Sequence, residues 1–153
     1  MANGKSTIRN GAPGHGLAEL MIVLACAVIL ISTGAPNILK LRQEWTLWGG
    51  ARLLESFLQW GRMQAIAANA VLVFRIQDNG KKFFWTDALT GVPYQGSVRY
   101  LPSNVRIISY PKLPLRFYQQ GNAAPAGTFT VEGIAGSYSV VVTPGGRIRI
   151  QRN

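Results

Sequence analysis

The sequence predicts an α+β protein in which one long N-terminal helix packs on an antiparallel β-sheet head. Three observations carry this. From Leu20 to Leu39 no side chain is ionisable except the thiol of Cys26. From Leu47 to Ala65 apolar or small residues recur at spacings of three and four (Leu47, Ala51, Leu54, Leu58, Gly61, Ala65), the period of a helix with one buried face. After Asn69 the period changes to two, with turn-forming residues between short apolar runs, the mark of half-buried strands.

Residues 1–14, MANGKSTIRNGAPG, are polar, rich in Gly and Pro and without periodicity, so they read as a removable leader. Helix is expected from about Gly16. At ~1.5 Å rise per residue the uncharged run spans about 30 Å, the thickness of a bilayer's hydrocarbon core. Residues 15–39 are thus a transmembrane segment. Its one charge, Glu19, would cost up to about 2.5–3.5 kcal/mol at the bilayer centre, and an intramembrane carboxylate marks a functional site by default. A cut after Gly14 would place a new α-amine on His15, one helical turn before Glu19 and on the same face. Pro36 lacks an N–H and clashes with the preceding turn, so the helix should bend around Gly34-Ala35-Pro36 and then continue. The stripe from Leu47 predicts that continuation as an amphipathic half, Leu39 to about Ala68, with Arg52, Glu55, Gln59 and Arg62 largely off the stripe. Trp45 and Trp48 fit either an interfacial aromatic belt or packing against the head.

The head, 40–153, opens with a hairpin: residues 71–76 and 82–86 flank the turn signal Asp78-Asn79-Gly80. A Gly/Pro-rich loop (87–97) follows. Further strands are expected at 105–110, 115–119, 128–132, 138–143 and 147–151, punctuated by Pro111-Lys112-Leu113-Pro114, residues 121–127 and Pro144-Gly145-Gly146. No other segment has helical period and length.

Gly14, Glu19 five residues later, the uncharged run and Pro36 together resemble the class III leader and N-terminal helix of type IV pilins and type II secretion pseudopilins. The resemblance covers residues 10 to 40; His15 stands where that family usually has Phe. It implies a pilin-like fold, a prepilin peptidase that cuts between Gly14 and His15, and methylation of the new amine. It further implies that Glu19 meets the amine of a neighbouring subunit during assembly while Pro36 shapes the helix. The protein would then be a single-pass protein of the bacterial inner membrane, head in the periplasm, before joining a filament of other pilin or pseudopilin subunits. Three plainer readings compete. A secretory signal would need a cut at Thr33-Gly34-Ala35, which Pro36 hinders. A lipoprotein signal would use Val23-Leu24-Ala25-Cys26, where Leu24 fits poorly and Glu19 interrupts the apolar core. An uncleaved anchor would leave Glu19 incidental.

Composition narrows the chemistry. With 153 residues there is room for one anchor and one domain of about 110 residues. From residue 40 onward 14 basic residues face 5 acidic ones, a surface that attracts polyanions. The single histidine is at the cleavage point and the single cysteine in the anchor, so the head cannot assemble a His-based general base, a Cys nucleophile or a zinc cluster. Its acids are scattered singly, too sparse for a calcium loop. No enzymatic activity, metal or cofactor is expected.

Two readings of the head remain. The strand order, the late Gly136–Val142 strand and the terminal Gly146-Arg147-Ile148-Arg149 resemble the GspH/FimT branch of minor pseudopilins and minor pilins, implying a structural subunit of a type II secretion or type IV pilus filament. Alternatively, Arg147 and Arg149 alternate with Ile148 and Ile150, so both guanidinium groups should leave one face while the isoleucines turn to the core. With Gly145 and Gly146 opening the turn for a phosphate backbone, Arg152 at the tail, and Lys81 and Lys82 at the hairpin tip, this becomes a site for double-stranded DNA, and minor pilins resembling FimT bind DNA during uptake in natural transformation. Whether Arg75, Arg99, Arg106 and Arg116 join one basic surface is not decided by the sequence.

Overall fold

The computed structural model describes residues 16–153, except the side chains of residues 33–36. The chain divides between Ile38 and Leu39 into two compact units. One helix, α1 (Leu17–Ala67), contributes to both, and it is the one element among the described residues long and apolar enough to cross a membrane. It runs through Pro36 without stopping. Every described side chain from Leu17 to Glu44 is exposed.

From Leu47 the surroundings change. Leu47, Ala51, Leu54, Leu58, Gly61 and Ala65, the whole periodic stripe, are buried, with Phe57 beside them. Trp45 and Trp48 are not part of this core, being 66% and 41% exposed, and the Arg52 guanidinium lies over the Trp48 ring at 4.9 Å. Two residues past the end of the helix, Asn69 takes a left-handed φ of 48°, a usual helix-stopping conformation for Asn.

The hairpin forms as expected: β1 (Leu72–Gln77) pairs with β2 (Lys82–Asp87) around a short turn in which Asp78, Asn79 and Gly80 all have positive φ. Then come β3 (Arg99–Tyr100), β4 (Arg106–Ser109), β5 (Arg116–Phe117), β6 (Ala123–Ala124), β7 (Gly127–Gly133), β8 (Gly136–Val142) and β9 (Ile148–Arg152). The two-residue strands β3 and β6 were not foreseen, because two residues carry no alternation to read. All pairings are antiparallel, and they build two sheets: β3-β2-β1-β5-β6 and β4-β7-β8-β9.

Both sheets turn one face to the helix stripe. Leu72, Phe74, Phe83, Trp85 and Phe117 come from the first sheet and Ile107, Phe129, Val131, Val140 and Val142 from the second, all within one buried cluster. Trp85 is at its centre, fully buried, with rings of Phe57, Phe74 and Phe117 within 5.1–6.0 Å and its indole N–H donating to the Phe57 carbonyl at 3.4 Å. Gly61 makes room for it: a Cβ there would sit 2.2 Å from the Trp85 ring. Full burial of such a Leu or Phe side chain contributes about 1.5–3 kcal/mol, so this cluster is the main support of the head.

Candidate functional site

The closing strand behaves as its alternation predicts. Ile148 and Ile150 pair with the buried Val142 and Val140 and pack on the core, while Arg147 and Arg149 are exposed. Arg149 stands opposite Val141, and β9 is an edge strand of its sheet. Arg152, at the far end, reaches Glu44 on the helix at 3.7 Å, an exposed pair of small energetic value.

The turn before β9 differs from expectation. Gly145 is open, with nothing near its missing Cβ, but Gly146 is buried and closed. Its φ is +74°, and a Cβ would fall 2.0 Å from the Gly121 carbonyl oxygen and 2.8 Å from Arg62 Nε. Arg62 Nε donates to the Gly121 oxygen at 2.8 Å and Nη2 reaches the Gly145 oxygen at 3.5 Å. The amide of Ala123 donates to the Pro144 carbonyl, and Thr143 and Arg147 exchange bonds across the turn. Gly146 therefore permits close packing of backbone on backbone, and only Gly145 leaves room for an approaching ligand. Arg62, placed by the sequence only off the apolar stripe, fastens this turn. Its partners lie 59 and 83 residues away, so no local pattern could have indicated them.

The hairpin lysines belong elsewhere. Lys81 borders a groove with Arg106 and Glu132, beside β4, and the order β4-β7-β8-β9 puts β4 and β9 at opposite edges. Lys82 lies over the rings of Phe84 and Tyr100 at 5.8 and 5.9 Å. The four arginines left open by the sequence divide as well. Arg75 and Arg116 share the outer face of the first sheet. Arg99 sits opposite the core residue Phe83, its guanidinium bonded to the carbonyls of Gly96 and Val98 and 6.0 Å from the Phe57 ring centre. Arg106 pairs with Glu132 at 3.3 Å.

In the anchor, Glu19 lies in the first turn of α1, where a carboxylate complements the positive end of the helix dipole, and its amide donates to the Gly16 carbonyl at 2.9 Å. Gly14 and His15 fall outside the described residues, as does the side chain of Pro36. Cys26 is exposed. Among the described residues no three His, Cys, Asp or Glu side chains come together as metal ligands. One carboxyl is perturbed: the amides of Thr90 and Leu89, 3.0 and 2.7 Å from Asp87 Oδ1, hold it below the 3.8 of an unperturbed aspartate.

This architecture has solved counterparts. The minor pseudopilin EpsH from the Type 2 Secretion System of Vibrio cholerae matches with a TM-score of 0.57 at 14% identity, over 69% of this chain and 96% of that one. The type IV minor pilin FimU of Pseudomonas aeruginosa matches with a TM-score of 0.54 at 19% identity, over 69% and 92%. No curated protein matches by sequence. The family model described as Type II transport protein GspH matches residues 50–146, which run from the buried helix stripe to the glycine that closes the last turn. An amphipathic half-helix under two antiparallel sheets and a family match over most of the chain lead to one conclusion: the protein belongs to the GspH family, with the pilin-like fold of a minor pseudopilin.

Proposed function

We propose that this chain is a structural, non-enzymatic subunit of a type II secretion or type IV pilus filament, inserted through its N-terminal helix. The observation that carries the reading is the family match to residues 50–146 joined to an exposed apolar helix that opens on Glu19. In this reading a prepilin peptidase removes residues 1–14, the amine of His15 is methylated, residues 15–39 cross the inner membrane, and residues 40–153 form the periplasmic head. Glu19 pairs with the terminal amine of an adjacent pilin or pseudopilin, and Pro36 shapes the helix. No cofactor or metal takes part. The test is incorporation: Glu19→Ala should leave the head's unfolding transition unchanged yet deplete the protein from sheared filaments, and undiminished incorporation contradicts the role. Edman sequencing of the mature chain should begin at His15.

A second reading, double-stranded DNA held by Arg147, Arg149 and Arg152 with help from Lys81 and Lys82, is favoured by two exposed arginines, Arg147 just before β9 and Arg149 within it. Its strongest pair is Arg147 and Arg149, since Arg152 is engaged with Glu44, Lys81 lies beside the opposite sheet edge and Lys82 belongs to the other sheet. Duplex binding by the full chain in nonionic detergent should weaken steeply between 50 and 200 mM salt and be lost in an Arg147→Ala, Arg149→Ala double variant. Absence of binding at low salt removes this reading.

A further inference from the structure

The outer face of the first sheet gathers cations without any acid. On that face the register sets Arg116 opposite Val73, Arg75 opposite Phe84, and Lys82 opposite Gln77 and Tyr100. Arg116, Arg75 and Lys82 are therefore successive diagonal neighbours across β5, β1 and β2, roughly 7–8 Å apart by the geometry of antiparallel ladders. Where the chain runs on beside β1, Lys112 and Tyr110 share a crevice of about 180 Å³ with Arg75.

The acids of the head are placed elsewhere. Glu44, Glu55 and Glu132 pair with Arg152, Arg52 and Arg106. Asp87 stands opposite the core residue Leu72 and is bonded to backbone amides, and Asp78 lies in the turn beyond the ladder. Among the described residues Arg75, Lys82 and Arg116 thus have one another's charge as neighbours and no carboxylate on their face. Like charges so placed repel, an arrangement that a bound polyanion would relieve. Tyr100, 61% exposed, stands opposite Lys82 at the end of the row.

From this placement we infer a second polyanion site on the head: the outer face of β5-β1-β2-β3 binds single-stranded nucleic acid, with Arg116, Arg75 and Lys82 along one phosphate backbone and Tyr100 stacking on an unpaired base. A single strand fits better than a duplex because the cations form one line and because exposed rings can stack only on bases whose faces are free. Guanidinium groups match phosphate oxygens bidentately, which accounts for two of the three cations being arginine. The site is separate from β9, and it neither requires nor excludes a place in a filament.

The test titrates full-length protein in nonionic detergent with a fluorescent 30-nucleotide single strand and, in parallel, with a duplex of the same sequence, at 50 and 200 mM salt. Losing two phosphate contacts in an Arg75→Gln, Arg116→Gln variant should weaken single-strand binding at least tenfold and flatten the log–log salt slope by about 1.4. Arg147→Gln, Arg149→Gln should cost single-strand binding clearly less than the Arg75 and Arg116 changes do. Tyr100→Leu should weaken it several-fold without changing the slope. An Arg75→Lys, Arg116→Lys variant restores charge and should recover most of the affinity, which separates loss of contact from loss of fold. No single-strand binding by the wild type at 50 mM salt, no effect of the Arg75 and Arg116 changes, or an equal loss in the β9 variant each overturns the site. Failure of the duplex arm alone removes the β9 reading and leaves this one standing.

Discussion

The two halves of α1 share a backbone conformation and differ in everything else. From Leu17 to Glu44 the described side chains are exposed although most of those up to Leu39 are apolar, while from Leu47 to Ala65 the apolar stripe is buried under two sheets. The second half is completed by its own chain. The described side chains of the first half find no such cover in their own chain. A helix can thus be a core element at one end and an exposed apolar surface at the other, and the hydrophobic pattern distinguishes them: a stripe in the first case and all-round apolarity in the second.

The sharpest way to break that contrast is at the head's centre. Trp85→Ala should destabilise the head by about 3–5 kcal/mol, read as a shifted denaturant midpoint, because the cavity lies among rings that cannot collapse into it. Leu24→Ala, a truncation of apolar surface in the exposed half, should leave that midpoint unmoved. An equal effect of both changes would mean that the halves are not energetically separate.

A smaller effect is expected at Gly146→Ala. A left-handed backbone carrying a Cβ costs about 1–2 kcal/mol, and contact with the Gly121 carbonyl adds to it, so a drop of roughly 2–3 kcal/mol follows. A neutral result would show that the turn is loose and that Arg62 does not hold it. The smallest effect concerns Asp87, the last residue of β2, which bonds the loop that follows. Its folded-state pKa is lowered, so its contribution to the loop is complete above about pH 3.8 and is lost as the pH falls through the lower folded value. The amide signals of Leu89 and Thr90, followed by NMR between pH 5 and 2, should titrate with a midpoint under 3.8, and a midpoint at or above it contradicts the bonding seen.

What the sequence revealed and concealed follows from the range of the interactions. The stripe from Leu47 to Ala65, the Asp78-Asn79-Gly80 turn and the face alternation of Arg147 to Ile150 are local patterns, and each was legible. The division into two sheets was not, since nothing near β5 says that it pairs with β1 rather than with β4. The same holds for Arg62, whose acceptors come from the other end of the chain, and for Gly146, where openness and close packing demand the same residue. The diagonal of Arg116, Arg75 and Lys82 depends on register between three strands and has no counterpart in sequence spacing.

The order in which strands enter the sheets also bears on how the head comes into being. After β4 the chain leaves the second sheet, lays down β5 and β6 in the first, and only then returns with β7. Neither sheet is a contiguous stretch, so a polypeptide halted before residue 127 would have β4 without a mate. Burial of Phe129, Val131, Val140 and Val142 in the shared core consequently requires residues 127–142, which lie beyond every strand of the first sheet.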